Sequence, residues 1–97
     1  MAIVALWTSR ALLHLEAELD YYGKIAPVLA KELSMEVAVS IRKITDAPGI
    51  GRHGKKLGVR EFILVQFPYV IAYRVRTSAI EVIGFIHQKR KNIKYYY

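Results

Sequence analysis

Residues 59–87 read VREFILVQFPYVIAYRVRTSAIEVIGFIH. Three β-rich runs lie in this stretch, at 59–67, 69–75 and 80–87, separated by Pro68 and by Thr77-Ser78. Turns this tight join antiparallel neighbours. The last two runs are apolar on both parities, as central strands covered on both sides are. Upstream, 10–22 places Leu12, Leu15, Leu19 and Tyr22 on one helical stripe with Ala11 beside it, and Gly23 is placed to end the helix. Pro27 suits a helix first turn; Leu29, Leu33, Val37, Ile41 and Ile44 form a second stripe that closes at 46–49. The short linker predicts an antiparallel helical hairpin. A first strand is expected at 2–7, with Trp7 as a core anchor and Thr8 or Ser9 capping the helix that follows. The predicted fold is α+β: a two-layer β-α-α-β-β-β arrangement, the hairpin packed on a mainly antiparallel four-stranded sheet. One domain is expected to span residues 1–97, with the basic tail 88–97 frayed.

Composition narrows the function classes. The 97 residues are 54% hydrophobic, too apolar for a disordered chain, and they contain no cysteine for a disulfide, zinc finger or thiol nucleophile. With three scattered histidines, no metal and no cofactor are expected. No apolar run reaches membrane-spanning length and the start lacks a secretion signal, so a cytoplasmic protein with no membrane partner is expected. The net charge of +7 is lopsided: residues 1–46 carry five basic and six acidic side chains, whereas 47–97 carry ten basic and two acidic. Such a one-signed field draws polyanions.

Gly49, Gly51 and Gly54 fit a dinucleotide G-x-G-x-x-G, and the run through Lys55 fits most of a Walker A loop. Both motifs require a strand before and a helix after, and here the order is reversed. A basic loop is the better reading, with Arg52, Lys55 and Lys56 available for phosphate contacts. Arg74, inside an apolar strand, is costly unless it pairs with Glu61 or Glu81, or clamps an anion on the open sheet face. His87 ends its strand, either bonded to backbone or acting as a general acid or base. Tyr69 and Tyr73 are expected to pack in the core. Lys89, Arg90 and Lys91 extend the basic surface past His87.

The runs Gly51-Arg52-His53-Gly54, Gly58-Val59-Arg60-Glu61-Phe62, 68–75 and Ile86-His87-Gln88-Lys89-Arg90, with Trp7-Thr8-Ser9-Arg10-Ala11-Leu12 at the start, resemble the RelE/ParE superfamily of type II toxin–antitoxin toxins. The resemblance covers about residues 3–91. It implies a growth-inhibiting toxin neutralised by a cognate antitoxin, whose acidic amphipathic segment would fold onto the basic surface. RelE-like members cleave mRNA on the ribosome; ParE-like members inhibit DNA gyrase without a nuclease site. By position, Arg60 and Arg74 match basic strand residues of the family. His87 matches a histidine that acts in some ribonuclease members and also occurs in ParE-like ones. No counterpart is seen of the extra C-terminal helix with a catalytic tyrosine found in several RelE-type nucleases. The expected function is a ribosome-dependent mRNA endonuclease with Arg60, Arg74 and His87 catalytic and Arg52, Lys55, Lys56, Lys89, Arg90 and Lys91 binding nucleic acid. A gyrase-binding toxin is the alternative, and a non-toxic basic nucleic-acid-binding module a third reading. The nuclease requires those cations to gather on one face of the sheet.

Overall fold

The Thr8 hydroxyl accepts the Ala11 N–H at 3.1 Å, capping the first helix as the sequence predicts. The structure is a computed structural model in which residues 3–89 are described. Strand β1 (Val4–Trp7) leads into helix α1 (Ser9–Ile25), and α2 (Pro27–Asp46) follows after Ala26 alone. Gly23 therefore does not end α1. The break comes from Pro27, which disfavours helical backbone at Ala26 (φ −158°, ψ 87°). A 3-10 turn (Pro48–Ile50) precedes β2 (Arg52–His53), β3 (Val59–Ile63), β4 (Tyr69–Val75) and β5 (Ala79–His87).

The sheet has five strands in the order β1-β5-β4-β3-β2, with β1 parallel to β5 and the other pairings antiparallel. The fold class is α+β as expected, but the strand count of four needs correction. The basic loop contributes β2, in which Arg52 and His53 pair with Glu61 and Arg60. A cross-strand ion pair between Arg52 and Glu61 stabilises so short a strand, and Gly58 (φ 79°) supplies the left-handed turn that returns the chain into β3. Strand β3 is also shorter than the predicted 59–67. Beyond Ile63 the backbone leaves the ladder, and the Glu36 carboxylate on α2 accepts the N–H groups of Val65 and Gln66.

Side-chain alternation sorts the sheet into two faces. The helices cover one. There Ala11, Leu33, Val37 and Ile44 meet Tyr69, Ile71, Tyr73, Ile80, Val82 and Phe85, with Trp7, Leu15, Leu19 and Tyr22 packed around them. On α1 it is Ala11 that is fully buried, while Leu12 is largely exposed. Tyr69 stacks on Phe85 at 4.7 Å between centroids, and Trp7 tilts against Phe85 at 6.5 Å. Tyr69 and Tyr73 are core residues, as predicted. The other face carries a smaller cluster of Val59, Ala72 and Ile86, with Ile83 against it.

Candidate functional site

The open face of the sheet, the one the helices leave uncovered, is built from alternate residues of all five strands, and its central side chains Val59, Ala72 and Ile86 are buried. Leu6, Glu81, Arg74 and Val59 stand side by side across β1, β5, β4 and β3. The next rows hold Ala72 beside Glu61 and Arg52, then Ile86, Val70 and Ile63. A groove of about 250 Å³ opens at this second end. Ile63, Val70 and Ile86 give it an apolar lining, and Arg52, Glu61, His87 and Gln88 a polar one. The Arg52 guanidinium meets Glu61 at 3.0 Å through both Nε and a terminal nitrogen. Glu61 is 4% exposed, so this pairing is what makes a carboxylate tolerable within the sheet.

The three residues read as catalytic do not gather. Arg60 lies on the helix-side face, opposite Tyr73 in register, whereas its neighbour Val59 stands beside Arg74 on the open face. Its guanidinium is engaged: one terminal nitrogen donates to the carbonyls of Gly49 (3.2 Å) and Gly51 (2.8 Å). Arg74 is on the open face, four residues along β4 from the groove, or about 13 Å at ~3.3 Å per residue. Neither carboxylate expected to pair with it does so. Glu61 binds Arg52, and Glu81 binds Arg76 at 3.1 Å. The Arg74 Nε is shut off from solvent with no acceptor, an arrangement that costs roughly 1–3 kcal/mol. His87 is at the far end of β5, its ring edge-on to Tyr69 at 5.3 Å and its Nδ1 accepting the Lys89 N–H at 3.1 Å. That bond puts the neutral ring's proton on Nε2.

The candidate nucleic-acid contacts also separate. Lys55 and Lys56 are exposed on the turn between β2 and β3, at one sheet edge, while Arg52 is taken up with Glu61. Lys89 is exposed just beyond His87; Arg90 and Lys91 lie outside the described residues. Of the described candidates, Arg52 and His87 alone line the groove, together with Gln88.

Two side chains that the sequence reading did not single out for polar roles shape this region. The Tyr73 hydroxyl donates to the Pro48 carbonyl at 2.7 Å and accepts the Gly51 N–H at 2.8 Å, locking the 3-10 turn to β4. Burial raises its pKa, opposed by the Gly51 N–H and by Arg60. The Tyr69 hydroxyl donates to Glu18 on α1; burial first, and this bond second, push its pKa far above the ordinary tyrosine range. A tyrosine in an apolar strand signals packing; the acceptor its hydroxyl finds is set by elements distant in sequence. A second cleft of about 190 Å³ between α1 and the sheet is lined by His14, Glu18, Tyr69 and His87 among others. Among the described residues no group of three or more His, Asp or Glu side chains could hold a metal ion, and no helix there is long and apolar enough to cross a membrane.

Residues 5–92 match the family described as the ParE toxin of the type II toxin–antitoxin system, parDE. The chain belongs to this family. As a ParE-family toxin, it is a toxin of the RelE/ParE superfamily with an antitoxin as partner. Toxin RelE2 of Caulobacter vibrioides is 31% identical over 84 residues, which are 87% of this chain and 93% of that protein. The Y4kP protein of Sinorhizobium fredii is 30% identical over 81 residues, 84% of this chain and 83% of its own. A chain of the chromosomal ParDE toxin–antitoxin system from P. aeruginosa shares the fold of this ParE-family toxin. It superposes with a TM-score of 0.78 over 90% of this chain and 96% of that one, at 23% identity. Membership favours the two toxin readings over the non-toxic binding module.

Proposed function

We propose that this toxin arrests growth by binding DNA gyrase rather than by cutting RNA, and that its antitoxin keeps it from that target. One observation carries the reading: Arg60 and Arg74 are on opposite faces of the sheet, and neither flanks His87. In-line cleavage of RNA needs a proton acceptor, a proton donor and cations around one phosphate, positioned to within an ångström or so. Arg60, spent on two backbone carbonyls, stabilises a turn instead. Inhibition by binding asks only for a shaped, charged surface.

The test is induced expression without antitoxin, together with purified toxin in a gyrase supercoiling assay. Supercoiling should fall, with DNA damage signalling and filamentation in cells, while translation continues through the first minutes. His87→Ala should leave growth arrest intact. A second reading, the ribosome-dependent mRNA endonuclease, is favoured by the groove that joins His87 to Arg52 and Gln88. It requires message cleavage that appears only with ribosomes and is lost in His87→Ala and Arg52→Gln. That result, with normal supercoiling, would replace the gyrase reading.

A further inference from the structure

Helix α2 buries one stripe against the sheet and carries a second on its opposite side. Leu33, Val37, Ser40 and Ile44 are buried, whereas Val28, Glu32, Met35, Val39, Arg42 and Asp46 are all exposed. The exposed set is spaced alternately by four and three residues, the a/d repeat of a coiled-coil seam. Val28, Met35 and Val39 are each more than half exposed. Val65, 83% exposed, lines with Met35 and Val39 a groove of about 330 Å³ beside the helix. A helix that serves one core needs one apolar stripe; contiguous exposed apolar side chains rimmed by charge mark an association surface.

We infer that this stripe is the interface of a two-fold symmetric dimer, its occupant being the same stripe of a second copy of the chain. The stripe is complementary to its own reverse. Set antiparallel about Val37, it brings Met35 onto Val39, Glu32 onto Arg42 and Val28 beside Asp46 of the second copy, the members of each pair being equidistant from Val37. The apolar pairs form the centre and the ion pairs flank it. Neither Glu32 nor Arg42 has an ion-pair partner among the described residues. They lie about 15 Å apart along their own helix at ~1.5 Å per residue, so they do not pair with each other. Asp46 opposes the dipole at its own helix end, and the second copy offers it a helix N-terminus instead. Glu36, which comes near its symmetry mate, is already held by the N–H groups of Val65 and Gln66. A parallel pairing would set Glu32 on Glu32 and Arg42 on Arg42, and like charges reject it. The stripe carries both signs in the order its own reverse requires, which favours a second copy over a partner of one charge. The interface uses the solvent side of the helical layer, so the open sheet face of each copy stays uncovered whichever target the toxin takes.

The test is sedimentation equilibrium of the full chain, freed of its antitoxin, from about 1 to 200 µM, a range suited to an interface of modest size. Wild type should pass from monomer to dimer within it. Glu32→Arg and Arg42→Glu each set like charges against one another twice in the interface, and each should raise the dimer dissociation constant at least ~10-fold. The double variant Glu32→Arg/Arg42→Glu restores opposite charges in exchanged positions and should return the constant to within about threefold of wild type. Positions 32 and 42 do not meet within one chain, so rescue reads a contact between copies. Met35→Glu, at an exposed position, should keep the far-ultraviolet dichroism of wild type and stay monomeric throughout. Should that variant not fold, the charge exchange decides alone. A wild type that stays monomeric at the top of the range would overturn the inference. So would a dimer that none of these variants weakens, which would use another face, and a double variant no better than its singles, which would remove the antiparallel pairing. Loss of antitoxin affinity in the variants, with wild type monomeric, would make the stripe an antitoxin contact instead.

Discussion

Tyr73 is the side chain on which the turn at 48–51 depends. Its hydroxyl is both donor to Pro48 and acceptor from Gly51, in a position with no exposed surface. Tyr73→Phe keeps the packing and orphans the Gly51 N–H, so it should cost about 1–3 kcal/mol in urea unfolding. Gly51→Ala attacks the same contact from the other side. A Cβ there would lie 2.7 Å from the Tyr73 hydroxyl oxygen and 3.0 Å from the Glu61 carbonyl oxygen, so the turn must move; the variant should unfold at a lower urea midpoint. Tyr69 gives a pH signature. Folding raises its pKa, so the native state holds the phenolic proton more tightly than the unfolded chain, whose tyrosines titrate near pH 10. The stabilisation is complete below about pH 10 and is lost as pH climbs past it. Urea midpoints measured from pH 8 to 11 should be flat and then fall steeply; Tyr69→Phe should start lower at neutral pH and fall less. The raised Tyr73 adds a contribution of the same sign.

Two elements hang on single polar contacts. The N-cap of α1 is also a stitch to the sheet, because Thr8 donates its N–H to the Val82 carbonyl at 3.0 Å while its hydroxyl caps Ala11. Thr8→Ala keeps the backbone bond and loses the cap, at about 0.5–2 kcal/mol, readable as a lower thermal midpoint. The turn after β3 is fastened to α2 by Glu36, whose carboxylate holds Val65 and Gln66. Both N–H groups are exposed, so water can replace the carboxylate and the global cost is small. Glu36→Ala should therefore speed hydrogen exchange at Val65 and Gln66 by an order of magnitude or more, with little change in the rest of the sheet.

At the scale of the whole molecule, the closing step is the docking of β1 against β5. Residues 4–7 pair with 79–82, joining the two ends of the described chain across the helical hairpin. The single tryptophan reports that event, since Trp7 packs on Phe85. If the sheet and hairpin form one cooperative unit, tryptophan fluorescence and far-ultraviolet circular dichroism should unfold at the same urea concentration. A fluorescence midpoint well below the dichroism midpoint would identify β1 as a strand that peels away first. Charge also acts at this scale. Among the described residues, the basic side chains of 47–89 are spread over both faces of the sheet, the turn between β2 and β3 and the position just after β5, with Arg52 and Arg76 internally paired.

The sequence by itself determined what local periodicity can carry. The stripe of α2, that of α1 apart from Leu12, the cap at Thr8, the burial of Tyr69 and Tyr73 and the antiparallel run from β3 to β5 follow from spacing and turn signals local in the chain, whereas Leu12 is exposed and Ala11 takes its place in the core. Only the tertiary structure decided the phase between elements. A register shift beside Ala72 and Tyr73 re-phases β5 against β4, and strand β3 ends at Ile63 rather than Phe67, so the segment 64–68 sets the register of β3 on β4. With a side-chain period of two, that register chooses the face each residue occupies. It sent Arg60 to the helix side and Arg74 to the open side. It also gave Arg52 and Arg76 the carboxylates that Arg74 lacks. Partner choice among charges is a contact between distant segments, and no spacing along the chain records it.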